Sequence, residues 1–194
     1  MKPALSQAFK VFLISIVFLK RWPTKTPVTF ATDTNPIATH KVKVVELTED
    51  MKKAIDQSVL CWLATASAEG VPNVSPKEIF CWQNQSTILV ANIASPGSVK
   101  NIKQNPRVCL SVLDILVQKG YQLKGTAQII TEKEEEFKSL STPLRNLAGP
   151  DFPFSSLTKI VIETAKPIIA PRYLLFPETS EKDQIKSGRK LYGF

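Results

Sequence analysis

Residues 59–92 have the sequence VLCWLATASAEGVPNVSPKEIFCWQNQSTILVAN, which is the clearest indication of the fold class. Its apolar runs are rich in β-branched and aromatic residues, and short polar turns separate them. That pattern predicts strands over residues 59–67, 71–83 and 87–92, with the first two paired as a hairpin. Long helices between the strands, which a doubly wound parallel sheet needs, are absent here. An antiparallel, mainly β fold is therefore predicted.

The rest of the chain continues the pattern with short helices between strands. Helices are predicted over residues 49–57, from Pro96 until Asn105-Pro106, and from residue 131 to about residue 147. Further strands are predicted over residues 107–116, 121–127 and 159–176. Five or six antiparallel strands at close spacing favour a small barrel.

The first 45 residues differ in composition from the rest of the chain. They carry seven Lys or Arg and one acid, whereas residues 46–194 carry 18 basic and 16 acidic side chains. Most of the net charge of +8 therefore lies outside the body, and a basic body surface for nucleic acid is not expected. The sequence predicts two parts: an N-terminal extension over residues 1–45 and a folded domain over residues 46–194.

Residues 11–19, VFLISIVFL, form an apolar stretch within this extension. Nine helical residues rise only about 14 Å, which is too short for a clean membrane span. Three interpretations stay open: an extension outside the fold, a membrane-surface anchor, and a secretion signal without a well-placed cleavage site. Residues 22–40, rich in Thr, Pro and Asn, are typical of a flexible linker.

The cysteine and histidine content excludes several kinds of site. The three cysteines form no CxxC pair, so reduced thiols and a cytoplasmic location are expected, with membrane association through residues 11–19 as the alternative. The single histidine is His40. A metal site, a Ser-His-Asp triad and a His-ligated haem are therefore not expected in the body.

A proline interrupts the second predicted strand at Pro76, beside Ser75, Lys77 and Glu78. Because proline has no N–H to donate, this segment is expected at a sheet edge or a bulge. One interpretation is an exposed edge strand protected by charge. The other is a strand that lies along a ligand at the rim of the barrel.

The run ANIASPGSVKNIKQNPR, residues 91–107, is the strongest candidate for chemistry. A strand ends at Asn92 and a helix begins at Pro96, with Ser95 as its N-cap. The free N–H groups and the positive dipole end of that helix suit a phosphate, and Ser98 and Lys100 add a hydroxyl and a cation. The alternative is a capped helix with a solvated basic face, since neither GxxxxGK[ST] nor GxGxxG is present.

Several runs of the chain carry a resemblance to a known family. They are CWLATASAEGVPNVSPKEIF (61–80), ILVANIASPGSVKNIKQNPRVCLSV (88–112), YQLKGTAQI (121–129) and the C-terminal ETSEKDQIKSGRKLYGF (178–194). Together they resemble the pyridoxamine 5′-phosphate oxidase-like family of FMN-binding split barrels, and the last run resembles its small flavin-nucleotide-binding members. The resemblance covers about residues 46–194. It implies a six-stranded antiparallel split β-barrel with short flanking helices, and a homodimer with FMN between the protomers.

The resemblance also implies which residues contact the cofactor. It implies eight: Ser75, Pro76, Lys77, Glu78, Ala91, Asn92, Ser98 and Lys100. The first four match the strand along the flavin, the next two match the strand end near the ribityl chain, and the last two match the positions that hold the phosphate. Gln118 and Lys119 fall near the contact with the partner subunit. No catalytic residue is assigned.

The resemblance implies an FMN-dependent oxidoreductase that acts on a small molecule with NAD(P)H, or else a flavin carrier or sensor without turnover. A haem- or deazaflavin-binding relative is a third option. Flavin itself carries the hydride, so the chain needs no His or Cys nucleophile. The family's oxidases have arginines at the positions of Ser75 and Gly97, and an arginine-rich C-terminal element that residues 171–177 lack. Pyridoxamine 5′-phosphate is therefore not the expected substrate.

Overall fold

The computed structural model describes residues 44–193. The apolar stretch over residues 11–19 and the linker over residues 22–40 lie outside the described residues. None of the described helices is both long enough and apolar enough to cross a membrane.

Seven strands and five helices make up residues 44–193. The strands are β1 (Cys61–Ala66), β2 (Pro72–Lys77), β3 (Phe80–Trp82), β4 (Thr87–Ala91), β5 (Arg107–Asp114), β6 (Lys119–Thr131) and β7 (Ser156–Ile169). The helices are α1 (Glu49–Gln57), α2 (Pro96–Gln104), α3 (Phe137–Ala148), α4 (Pro171–Leu175) and α5 (Glu181–Tyr192). The prediction of a mainly β fold with short flanking helices is confirmed.

The strands form one antiparallel sheet in the order β2-β1-β5-β6-β7-β4-β3. Strands β2 and β3 stand at opposite edges, yet only Glu78 and Ile79 separate them in the chain. A flat sheet of seven strands would hold its edges about 29 Å apart, whereas this link reaches at most about 11 Å. The sheet must therefore curl until its edges meet. The result is the predicted split barrel, and its split corner lies at Glu78 and Ile79.

The sheet has one strand more than predicted, because residues 71–83 form two strands instead of one. The chain leaves β2 after Lys77 and joins the other edge of the sheet at Phe80. Strand β2 pairs with β1 alone, so the edge position expected from Pro76 is confirmed.

Two further segments differ from the prediction. Strand β6 continues to Thr131, and α3 begins only at Phe137 rather than near residue 131. The predicted last strand ends at Ile169, and α4 follows it. Pro171 explains the change, because it has no N–H for a sheet ladder and suits the first position of a helix.

Apolar side chains pack on both faces of strand β4, all five of whose residues are buried. Ile88 and Val90 belong to the main core inside the curled sheet. Leu89 and Ala91 belong to a second core, which the sheet shares with α3. This double burial fixes the end of β4, and with it Ala91, at the split corner.

Candidate functional site

A cavity of about 190 Å³ lies at the split corner of the sheet. Its lining residues are Pro76, Lys77, Glu78, Ile79, Ala91, Ile93 and Phe152. They come from the end of β2, the two-residue link to β3, the end of β4 and the loop after α3. The cavity thus brings together four of the eight residues that the resemblance implied, and we call it the corner cavity.

Lys77 is the cation of the corner cavity, and it is only 5% exposed. It is the last residue of the edge strand β2, where the side chain turns inward. Its Nζ donates to Oγ of Ser95, the N-cap of α2, and that hydroxyl donates to the carbonyl oxygen of Ile93 at 2.9 Å. Burial lowers the pKa of Lys77 below its usual value of 10.5. The sequence therefore folds so that a buried ammonium adjoins the start of a helix.

The ammonium of Lys77 has no carboxylate partner in the part of the chain that the structure describes. None of the ion pairs within residues 44–193 includes Lys77. The neighbouring Cys61 stays protonated at neutral pH, because burial raises the pKa of its thiol to about 12. The positive dipole end of α2 adds to the charge of Lys77 instead of opposing it. A buried charge without a counter-charge costs free energy, so the corner cavity favours an anion.

The side chain of Ser98 faces the sheet and not the corner cavity. Its buried Oγ accepts from Nδ2 of Asn73 at 3.2 Å. Oγ1 of Thr65 accepts from Asn73 and from Asn101, at 3.1 Å each. These bonds hold the start of α2 against β1 and β2. The implied contact between Ser98 and a phosphate stays a prediction.

The other three implied residues are not among those that line the corner cavity. Asn92 joins β4 to β7, because its Oδ1 accepts from Oγ1 of Thr158 at 2.8 Å and its Nδ2 donates to Oγ of Ser156 at 3.3 Å. Ser75 is half-buried on β2, and Lys100 is exposed on α2. Their contacts with a cofactor also stay predictions.

Gln118 and Lys119, expected near a partner subunit, contact the C-terminal helix of their own chain. Nζ of Lys119 lies 2.8 Å from a carboxylate oxygen of Glu181 and 4.5 Å from the ring centre of Tyr173. Nε2 of Gln118 donates to the hydroxyl of Tyr192 at 3.2 Å. Their role toward a partner stays a prediction.

Sequence reasoning missed three lining residues of the corner cavity. Ile79 and Ile93 resemble ordinary core residues, and nothing in their sequence context marks them as lining a cavity. Phe152 did carry a signal, because GPDFPF (149–154) places an aromatic residue between two prolines in a loop. Its distance of 75 positions from Lys77 hid the connection.

A larger and shallower depression of about 390 Å³ lies on α3. Its main cation already has partners, because Arg145 pairs with Glu132 at 3.8 Å and lies over the rings of Phe137 and Phe154. Within residues 44–193, no group of three or more His, Cys, Asp or Glu could hold a metal ion. The uncompensated charge of Lys77 therefore marks the corner cavity as the candidate site.

A curled antiparallel sheet, split at one corner beside a helix N-terminus with a buried cation, defines a split-barrel protein with a candidate anion site. The pyridoxamine 5′-phosphate oxidase family matches residues 47–181, and the chain belongs to that family.

Three individual proteins illustrate the relationship. An uncharacterized protein of Methanocaldococcus jannaschii is 32% identical over 118 residues, which cover 58% of this chain and 76% of the relative. The structure of an FMN-binding protein from Syntrophomonas wolfei has a TM-score of 0.56 at 17% identity, covering 64% of this chain and 87% of that one. The heme storage protein HutZ from Vibrio cholerae has a TM-score of 0.52 at 19% identity, covering 64% and 95%. At these identities the two structures establish the shared fold alone.

Proposed function

We propose that this protein binds FMN at the corner cavity. The observation that carries the proposal is the buried ammonium of Lys77 beside the N-terminus of α2, without a carboxylate partner among the described residues. Two positive groups side by side are stabilised by an anion, and a phosphate accepts charge-assisted hydrogen bonds from both. Bound FMN would supply hydride-transfer chemistry.

The charges of the corner cavity orient the ligand. The phosphate belongs at the end where Lys77 meets Ser95. Glu78 is exposed on the lining and would repel a phosphate, so its carboxylate suits a hydroxyl or N–H donor farther along the ligand. The apolar lining, Ala91 and Ile93 among it, suits the ring system. These residues position the ligand and exclude water from it.

We further propose a homodimer that completes the site. The corner cavity of about 190 Å³ is smaller than the roughly 300–1,000 Å³ of typical ligand pockets. Next to it, β1 and β2 expose an apolar face: Trp62 is 48% exposed and lies opposite Pro76, and Val74 is 58% exposed and lies opposite Ala64. Exposed apolar patches of this kind are typical of protein interfaces. A second copy on this face would border the cavity at Pro76.

The substitution Trp62→Arg is expected to convert the dimer into a folded monomer, because it introduces a charge into the proposed interface. Sedimentation velocity measures the change, and circular dichroism checks the fold. Leu147→Arg is the matched control, since Leu147 is also exposed but lies on α3. The proposed interface is wrong when the Trp62 variant stays dimeric, or when the unaltered protein is monomeric.

The proposed activity is transfer of electrons from NAD(P)H to a small molecule. The purified full chain is expected to be yellow and to release FMN, and not FAD, on denaturation. Anaerobic bleaching of the flavin band by NADH or NADPH supports an oxidoreductase. A bound flavin that neither donor reduces supports the alternative of a carrier or sensor. A colourless protein that cannot be reconstituted with FMN, or one that takes up hemin in place of FMN, would overturn the proposal.

The substitution Lys100→Ala is expected to weaken FMN binding about tenfold while leaving riboflavin binding nearly unchanged. Lys100 lies on α2, the helix whose start adjoins the proposed phosphate, a group that riboflavin lacks. Fluorescence titration with both ligands measures the difference. Lys103→Ala, an exposed lysine in the last turn of the same helix, is the control and should change neither affinity. Equal losses for both ligands would mean that Lys100 supports the fold.

A further inference from the structure

We infer that Phe152 is an aromatic cover that packs against the planar ring of the ligand in the corner cavity. The inference rests on the proposed flavin binding and adds a residue that determines how the ring is held. Phe152 lines the cavity, and it is 55% exposed. A large aromatic side chain is thus presented to solvent at the mouth of the site.

The loop that carries Phe152 is fixed at both ends. At its start, Gly149 ends α3 with a φ of 69°, and its N–H donates to the carbonyl oxygen of Arg145 at 3.0 Å. At its end, the carbonyl oxygen of Ser155 accepts from the N–H of Glu132 at 3.2 Å. The ends of the loop therefore cannot drift away from the sheet.

The middle of the loop is restrained as well. Phe154 is buried and packs edge to face on Phe137, with ring centres 6.4 Å apart. Pro150 and Pro153 flank Phe152, and a residue before proline is restricted to extended conformations. Phe152 is thus held at the cavity before a ligand arrives, which lowers the entropy that binding must remove.

The shape of the lining favours a flat ring beside Phe152. The other apolar lining side chains are small or aliphatic, namely Pro76, Ile79, Ala91 and Ile93. They provide one apolar wall, and Phe152 is the only aromatic side chain among the described residues of the lining. Aromatic rings gain from offset or edge-to-face packing beyond the area they bury. A planar heteroaromatic ligand can pack against the aliphatic wall and the phenyl ring of Phe152 at the same time.

The test compares FMN with riboflavin, because both carry the ring and only FMN carries the phosphate. The substitution Phe152→Ala is expected to weaken both by the same factor, about tenfold, in fluorescence titrations. Phe152→Trp should keep the affinity and quench the bound flavin further, because an electron-rich indole then contacts the ring. Leu147→Ala is the matched control: Leu147 is 56% exposed just before the loop and does not line the cavity.

The outcomes separate this inference from the proposed function. If the unaltered protein binds neither ligand, both are wrong. If it binds FMN and Phe152→Ala binds both ligands unchanged, the aromatic cover is wrong and the proposed function stands. A loss confined to FMN would also overturn the cover, since it would place Phe152 at the phosphate. A melting curve verifies that the alanine variant is folded, and Phe152→Leu, which keeps the bulk without the ring, should lose most of the same affinity.

Discussion

The substitution Lys77→Met is expected to raise the melting temperature of the ligand-free protein and to weaken FMN binding about 10- to 100-fold. Methionine removes a buried ammonium that has no carboxylate partner among the described residues, and it nearly keeps the shape of the side chain. The ligand-free protein becomes more stable because the substitution removes a desolvated charge. The affinity for FMN falls because the phosphate loses a charge-assisted hydrogen bond. Thermal melts and fluorescence titrations measure the two effects.

The dependence on pH provides an independent check. Because the pKa of Lys77 is lowered in the folded protein, its charge destabilises the fold at pH values below that pKa. This destabilisation disappears as the pH rises from the lowered pKa of Lys77 to the usual lysine pKa of 10.5. The difference in melting temperature between the methionine variant and the unaltered protein should therefore shrink over the same pH range. The FMN affinity of the unaltered protein should fall with rising pH as Lys77 loses its proton. The FMN affinity of the methionine variant should not show this decrease.

The control for this prediction is Lys103→Met, which makes the same change on the exposed surface of α2. It should alter neither the melting temperature nor the affinity appreciably. If Lys77→Met lowers the melting temperature and leaves FMN binding intact, Lys77 stabilises the link to Ser95, and the corner cavity is not the anion site.

Features with a local cause could be predicted from the sequence. Pro96 predicts the start of α2, because a proline at the first helical position acts within one turn. Ser95 precedes it as predicted, but its hydroxyl accepts from Lys77 and donates to the carbonyl oxygen of Ile93 instead of capping the helix. Thr48 does cap α1, where its side chain accepts from the N–H of Met51. Pro76 predicts the edge strand, because the missing N–H is a property of that residue alone.

Features that depend on distant pairing could not be predicted from the residues themselves. Glu78 and Ile79 are an ordinary stretch of strand by pattern, and only the pairing of β4 with β7 shows that they join two opposite edges. The direction of Ser98 likewise depends on Asn73, which is 25 positions away. The prolines around Phe152 mark a loop, but the contact of Phe154 with Phe137 that holds this loop is tertiary and has no local signal.

The substitution Gly125→Ala is expected to destabilise the fold severely. A Cβ on Gly125 would lie 2.0 Å from the carbonyl oxygen of Val161, an atom of the neighbouring strand β7. Backbone atoms in a long ladder cannot move aside as a flexible side chain can, so the penalty should exceed the roughly 1–3 kcal/mol typical of overpacking. A domain of this size has about 5–15 kcal/mol of total stability. Urea unfolding of the variant measures the loss.

Gly97→Ala is the matched control, since a Cβ there meets nothing within 4 Å and the residue lies in α2. It should leave the stability unchanged or raise it by up to about 1 kcal/mol. Equal stabilities of the two variants would show that β6 and β7 do not approach each other this closely. The position of Gly125 explains why the effect should be large. Gly125 follows a register shift in the pairing of β6 with β7, and β7 in turn pairs with β4. A strand pushed away from Gly125 would carry β4, and with it Ala91, out of the corner cavity.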